Sequence, residues 1–226
     1  MSGNLRLLSA AKPARPPPPT QSAAPSGTAN DVDASLQYDE ILKNCSQAKT
    51  SFVDDAFPPS EKSLGSIPDS RQRGKLGAVT WARPHQIFTL EGKIYRWSLF
   101  RDPLAPTDIE QGYLGNCWLT SAMALIAERS HLAKRIFVTQ EYSAQGVYHL
   151  KLNLNGQWTS VIVDDWFPCH GREKRNLRMV FAVGRQNQLW VPLLEKSVAK
   201  TGARGLVSPW APETEWAAEG ERVSLR

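Results

Sequence analysis

Cysteine is scarce in this 226-residue chain, and Cys45, Cys117 and Cys169 stand far apart, without the C-x-x-C spacing of a metal site. An odd, scattered set argues against a disulfide framework and against structural zinc, so free thiols in a reducing compartment are expected. No apolar run approaches the roughly eighteen residues that span a bilayer, and the segment after Met1 has no signal-peptide hydrophobic stretch. The expectation is a soluble, intracellular chain, cytoplasmic or nuclear, with no membrane span. Acidic residues are missing altogether from residues 1–30, where Pro16 to Pro19 run together among many Ala and Ser residues. Such a composition cannot bury enough apolar surface to fold and predicts a disordered, Pro-rich tail with polyproline II character. Pro16 and Pro19 form a minimal P-x-x-P ligand for a partner that binds Pro-rich motifs; the plainer reading is a linker.

Charge of one sign is not concentrated enough to imply nucleic acid. The net charge is +5, and Arg172, Lys174, Arg175 and Arg178 cluster after Cys169, but without a nucleic-acid fold motif or interleaved aromatics. A solvated basic loop is the reading, and no nucleic acid is expected.

What the chain does have is a tryptophan-rich central region. Leu36, Ile41, Leu42, Cys45 and Ala48 recur at near-helical spacing and predict a helix over 33–49 with Cys45 packed. The weakly periodic stretch 51–77 reads as a connector lying against a core, so residues 31–78 form a helix and connector. From Trp81 onward tryptophan recurs at 97, 118, 158, 166 and 190; burying such rings needs a core, and the folded unit is drawn over 79–200. Within it, Val147–Leu154, Asn155-Gly156 and 157–163 predict a hairpin with a type I′ turn. Alternation puts Tyr148, Leu150, Leu152 and Leu154 on one face and His149, Lys151 and Asn153 on a polar one. Asp164, Asp165 and Pro168 read as the turn that ends the second strand. A last helix over 189–200 accommodates Pro192 only in its first turn. Residues 201–226, rich in Gly, Pro, Ala and charge, read as a divergent, loosely ordered tail.

The segment Gln111-Gly-Tyr-Leu-Gly-Asn-Cys-Trp118 carries the chemistry. Asn116 is a good N-cap, and Trp118, Leu119, Ala122, Met123, Leu125 and Ile126 follow at helical period, which puts Cys117 at a helix N-terminus. There, unpaired backbone N–H groups and the macrodipole favour thiolate, the nucleophilic form. Gly112 and Gly115 let the backbone turn sharply. Gln111 can set a side-chain N–H beside the backbone N–H of Cys117, and two such donors form an oxyanion hole.

At these residues the chain resembles the calpain family of intracellular, papain-like cysteine proteases. Phe52-Val-Asp-Asp-Ala-Phe-Pro58 with Ser63-Leu64-Gly65, Trp81-Ala-Arg-Pro84, Val161-Ile-Val-Asp-Asp165 and Leu189-Trp-Val-Pro-Leu-Leu-Glu-Lys196 extend the likeness over roughly residues 50–200. Asn116 with Leu125-Ile-Ala-Glu-Arg129 is most similar to the small-optic-lobes branch. The resemblance implies an α+β fold, the half-core formed by the first calpain protease subdomain. It also implies endopeptidase chemistry on protein or peptide substrates, with Cys117 as nucleophile and Gln111 in the oxyanion hole. Calcium is implied as well, with Asp108 and Glu195 at the positions of two calcium ligands; loop and helix-surface acids without a metal are the alternative.

A papain-like protease also needs a histidine and an orienting Asn or Asp roughly 130–150 residues beyond the cysteine, and less chain than that follows Cys117. The family's Gly-His-Ala-Tyr and Asn-Pro-Trp-Gly motifs are missing. Of the four histidines, His85 precedes the core, His131 is expected on the Cys117 helix, His149 on a strand and His170 in a loop; none is assignable as base. Cys169 and His170 are neighbours whose side chains diverge, so they form no dyad. The chain is therefore expected to be inactive alone, or to act as a binding or regulatory fragment through partner proteins or a subdomain supplied in trans.

Overall fold

Gly156 adopts φ = 82°, a left-handed conformation open to glycine. Around it, in the computed structural model of the protein, β3 (Val147–Leu154) and β4 (Gln157–Asp164) pair antiparallel from Leu154↔Gln157 to Val147↔Asp164. The structure describes residues 29–64, 79–87, 96–113, 116–154, 156–171 and 177–202. The proposed Pro-rich ligand, the basic residues Arg172, Lys174 and Arg175, and the tail beyond Gly202 lie outside the described residues.

Helices and small antiparallel sheets mix along the chain, an α+β arrangement. The helices are α1 (Ala29–Ala48), α2 (Cys117–Ala127), α3 (Ser130–Ile136) and α4 (Trp190–Gly202). Besides the hairpin, β1 (Thr80–Ala82), β5 (Phe167–His170) and β6 (Arg178–Met179) form a three-stranded sheet in the order β1-β5-β6. β2 (Ile109–Glu110) pairs with β7 (Val183–Gly184). Leu119, Met123 and Ala127 of α2 share one core with Tyr148, Leu150 and Val163 of the hairpin and with Trp190 and Leu193 of α4. With Thr120, this narrow stripe makes up the buried part of α2. Trp118 and Leu125, part of the same apolar periodicity, are 46% and 68% exposed.

Three local readings need correction. His149 is fully buried rather than on a solvated face, because α1 lies across the hairpin and brings the Tyr38 ring to 5.7 Å from the imidazole. His131 is not on the cysteine helix: the chain turns after Ala127, and His131 belongs to the separate helix α3. His170 ends strand β5 instead of sitting in a loop.

Packing also begins well before Val79. Phe57 and Leu64 are buried with Val180, Phe181 and Ala199, and a buried charge network fastens this segment to the core. Asp54 accepts from Lys200 Nζ at 2.6 Å, while its backbone N–H donates to Asp164 Oδ2 at 2.7 Å. Lys196 Nζ donates to Asp164 Oδ1, and Arg83 to Asp165 Oδ1. Asp164 and Asp165 are therefore more than a turn: three acids and three bases neutralise one another where burial would make any one of them costly alone. Burial pushes the Asp165 carboxyl up, against the pull of Arg83, and pushes the Lys196 ammonium down, against Asp164.

Candidate active site

Two anchored segments present the cysteine motif. On its N-terminal side, β2 pairs with β7 through Ile109↔Gly184 and Glu110↔Val183. Beyond β2, the Tyr113 N–H donates to the Val180 carbonyl at 2.9 Å. Gly112 lies flat on the same segment: a Cβ there would stand 2.5 Å from Phe181 Cα and closer still to the Val180 carbonyl oxygen. This contact, rather than a positive φ, is what requires glycine. Gln111, just before it, is exposed.

On the C-terminal side, α2 begins at Cys117, and the thiol is exposed. Asn116 holds the N-cap position, and its carbonyl accepts from the Leu119 and Thr120 N–H groups at 2.9 and 3.2 Å. Its side chain, however, does not cap the helix. Asn116 Nδ2 instead donates to Glu195 Oε1 at 2.6 Å, and Asn116 itself is 2% exposed. Glu195 Oε2 accepts the Ala182 N–H at 3.0 Å. One carboxyl of α4 thus holds both the start of the cysteine helix and the segment on which the Gln111 loop rests. Burial pushes this carboxyl up to about 7, against the two hydrogen bonds.

A family model described as calpain family cysteine protease matches residues 52–204. The chain belongs to the calpain family. It is 34% identical over 178 residues to the calpain-type cysteine protease DEK1 of Arabidopsis thaliana, covering 76% of this chain and 8% of that protein. With the calpain-type cysteine protease ADL1 of Oryza sativa subsp. japonica it shares 36% over 156 residues, 68% of this chain and 7% of that one. With the calpain-1 catalytic subunit of Sus scrofa it shares 34% over 168 residues, 72% of this chain and 22% of that subunit. The chain therefore spans less than a quarter of the length of these relatives.

The two carboxylates assigned to calcium by resemblance do not fit a cation in this calpain-family chain. Calcium is held by six to eight oxygens at about 2.3–2.6 Å. Glu195 is 1% exposed, and both its oxygens face N–H donors, a surrounding suited to a carboxyl and hostile to a cation. Asp108 Oδ2 accepts the Ala105 N–H at 3.0 Å within its own short turn, Pro106–Asp108. Among the described residues no group of three or more His, Cys, Asp or Glu side chains is arranged to hold a metal ion.

The histidines are dispersed. His85 and His131 are exposed and His149 is buried beneath α1. The half-buried His170 meets the Tyr113 ring edge-on at 5.4 Å, next to the Gln111 loop. Among the described residues no hydrogen bond joins Cys117 Sγ to any of the four. The Cys169 thiol, buried between β1 and β6, is pushed up to about 12 by desolvation and has no nucleophilic character.

The Asn116–Glu195 link and the charge network are what sequence reasoning missed. The signal was present: Glu195 and Lys196 are charged residues in a helix whose neighbours Val191, Leu193 and Leu194 read as core, and Asp164-Asp165 directly follows an apolar strand end.

Proposed function

We propose that this chain supplies the nucleophile-bearing half of a papain-like cysteine endopeptidase, with Cys117 as nucleophile and Gln111 as side-chain donor of the oxyanion hole. The observation that carries the reading is the exposed Cys117 thiol at the first turn of a helix whose N-terminus is fixed by a buried hydrogen bond. The first N–H groups of a helix have no intrahelical acceptor, so the Cys117 N–H is available to a developing oxyanion. In the reaction, Cys117 sulfur bonds to the scissile carbonyl carbon and the carbonyl electrons move to oxygen. The Gln111 amide and the Cys117 N–H hold that charge while the C–N bond breaks. The leaving amine needs a proton from a general acid, and water must then be activated to hydrolyse the thioester.

All four histidines of the chain are placed away from Cys117 Sγ hydrogen bonding, which supports a chain inactive by itself and completed by a histidine-bearing subdomain outside the described half-core. Losing one member of such a catalytic unit costs several orders of magnitude in kcat. A reducing, intracellular setting belongs to this reading, since the thiol must stay free. The hydrogen bonds that both Glu195 oxygens accept argue against calcium acting through this carboxyl.

A second reading, a binding or regulatory fragment, is favoured by Trp118 and Leu125, exposed apolar side chains that lie two turns apart on α2, the helix that Cys117 begins. Labelling with a peptidyl epoxide, mapped by mass spectrometry, alongside peptide hydrolysis separates the readings. Selective labelling of Cys117 without turnover is the expected outcome. Turnover by the chain alone would overturn the incomplete-site reading, and labelling no faster at Cys117 than at Cys45 would overturn the nucleophile assignment.

A further inference from the structure

A carboxyl that is fully enclosed, carries no cation among its own hydrogen-bond partners and accepts from two separate segments has a defined mechanical position. Glu195 lies on α4, whose other buried side chains, Trp190, Leu193 and Leu194, fix the helix to the main core. From that fixed base its two oxygens reach in different directions. Oε1 accepts from the side chain of Asn116, the residue immediately before the cysteine; Oε2 accepts from the Ala182 backbone. Ala182 precedes β7, which pairs with β2 directly before Gln111. Val180 and Phe181, on its other side, carry the Tyr113 hydrogen bond and the Gly112 contact.

We infer that Glu195 is a positioning residue that sets Cys117 and the Gln111 loop in one frame, by hydrogen bonding the N-cap side chain of α2 and the Val180–Val183 segment from a single carboxyl. The inference rests on the proposed roles of Cys117 and Gln111 for its functional meaning, but its physical content is independent of them. An oxyanion hole made of one side-chain donor and one backbone donor works only when both are held at hydrogen-bond distance from the same point. Gln111 and Cys117 are six positions apart in the sequence, and their common frame has to be fixed by contacts with the core. Glu195 provides such a contact from outside the motif.

The arrangement of Asn116 sharpens the expectation for a conservative change. Asn116 Oδ1 is buried without a hydrogen-bond partner. In Glu195→Gln, the new amide oxygen can accept from Ala182 while its NH2 donates to that vacant Oδ1 after the Asn116 amide turns over. Glutamine therefore preserves both links, whereas alanine removes both.

Hydrogen exchange followed by mass spectrometry on the full chain tests this without requiring activity. E195A is expected to lose protection in peptides covering 111–121 and 178–184 together, by about tenfold or more, the equivalent of leaving a buried donor without its acceptor, while the 147–164 hairpin is unchanged. E195Q is expected to keep protection in both peptides. N116A is expected to loosen 116–121 and leave 178–184 intact, because the Ala182 bond remains. L194A, a destabilising change on the same helix that touches neither link, is the control for general loosening. The inference is overturned if E195Q behaves like E195A, if E195A leaves 111–121 protected, or if L194A reproduces the paired loss. None of these readings depends on peptide hydrolysis, so failure of the protease assignment and failure of the positioning role are separable.

Discussion

Lys196 Nζ donates to Asp164 Oδ1 with neither side chain exposed to solvent, and the same ammonium donates to the Trp166 carbonyl at 2.7 Å. The rings of Phe57, Trp81 and Phe167 stand 5.8 to 6.0 Å from it and complete the enclosure. Removing one partner of such a pair leaves the other charge buried and uncompensated, which costs about 3–5 kcal/mol. K196M should lower stability by that amount. Against a typical total of about 5–15 kcal/mol, the variant would sit close to unfolding. Lys134 and Asp102 form the comparison pair, since their side chains are 36% and 58% exposed; K134M should cost less than about 1 kcal/mol. Urea titrations followed by tryptophan fluorescence read both. Equal midpoints for K196M and K134M would remove the buried network from its role in holding residues 52–64 on the core.

Glu195 makes stability fall as pH rises. Its carboxyl is pushed from 4.5 up to about 7 by burial, so between those values the folded chain binds the proton that the unfolded chain has released. Its stabilisation is complete below about pH 4.5, fades as pH rises through 7, and leaves a deficit of roughly 3 kcal/mol above it. E195Q, neutral throughout, should lack this loss. Urea midpoints at pH 5 and pH 8 supply the test: the wild-type chain should lose more stability across that interval than E195Q does. An identical pH dependence in the two proteins would mean that Glu195 is ionised at ordinary cost in the folded state.

G112A probes how the Gln111 loop is seated. The added methyl would enter the backbone of Val180 and Phe181 rather than the tip of a flexible side chain, so the loop has to lift. Overpacking of this kind costs about 1–3 kcal/mol, and the displacement should break the Tyr113 to Val180 hydrogen bond. Exchange protection at Tyr113 and the thermal midpoint should both drop. A variant that keeps Tyr113 protected would show that the loop is not seated on this segment.

How far the sequence carried depended on whether a feature was local. The hairpin was legible residue by residue because alternation and the Asn155-Gly156 turn signal are properties of adjacent positions, and the start of α2 at Cys117 followed from periodicity. His149 was misplaced because alternation identifies two faces of a ribbon without revealing that α1 covers the second. Asn116 does hold the N-cap position, but its side chain bonds elsewhere: its partner, Glu195, is 79 positions away, and local preference says nothing about that competitor. Asp164 and Asp165 looked like turn residues for the same reason, their cationic partners Lys196 and Arg83 lying far off in sequence. The His131 error was different in kind. No proline or glycine marks the break between α2 and α3, so a continuous helix was the natural extrapolation.

The three cysteines make a graded test of the candidate site within a single sample. Cys117 is exposed at the start of α2, Cys45 is half-buried on α1, and Cys169 is buried with its thiol pushed up to about 12. Only the thiolate alkylates, so Cys169 is protected twice, by access and by protonation. A time course with iodoacetamide at pH 7.5, read by peptide mass spectrometry, should modify Cys117 first and Cys45 more slowly. Cys169 should react at the rate of global unfolding, and therefore speed up in K196M while Cys117 changes little. C117S should remove the fast phase entirely and leave the other two rates as they were. If Cys169 reacts early in the native chain, then the β1-β5-β6 sheet opens readily, and the rigid platform on which the Gln111 loop and α2 depend is lost from the argument. If instead Cys117 is slow, its exposure does not translate into reactivity, and the nucleophile assignment fails at its first chemical requirement.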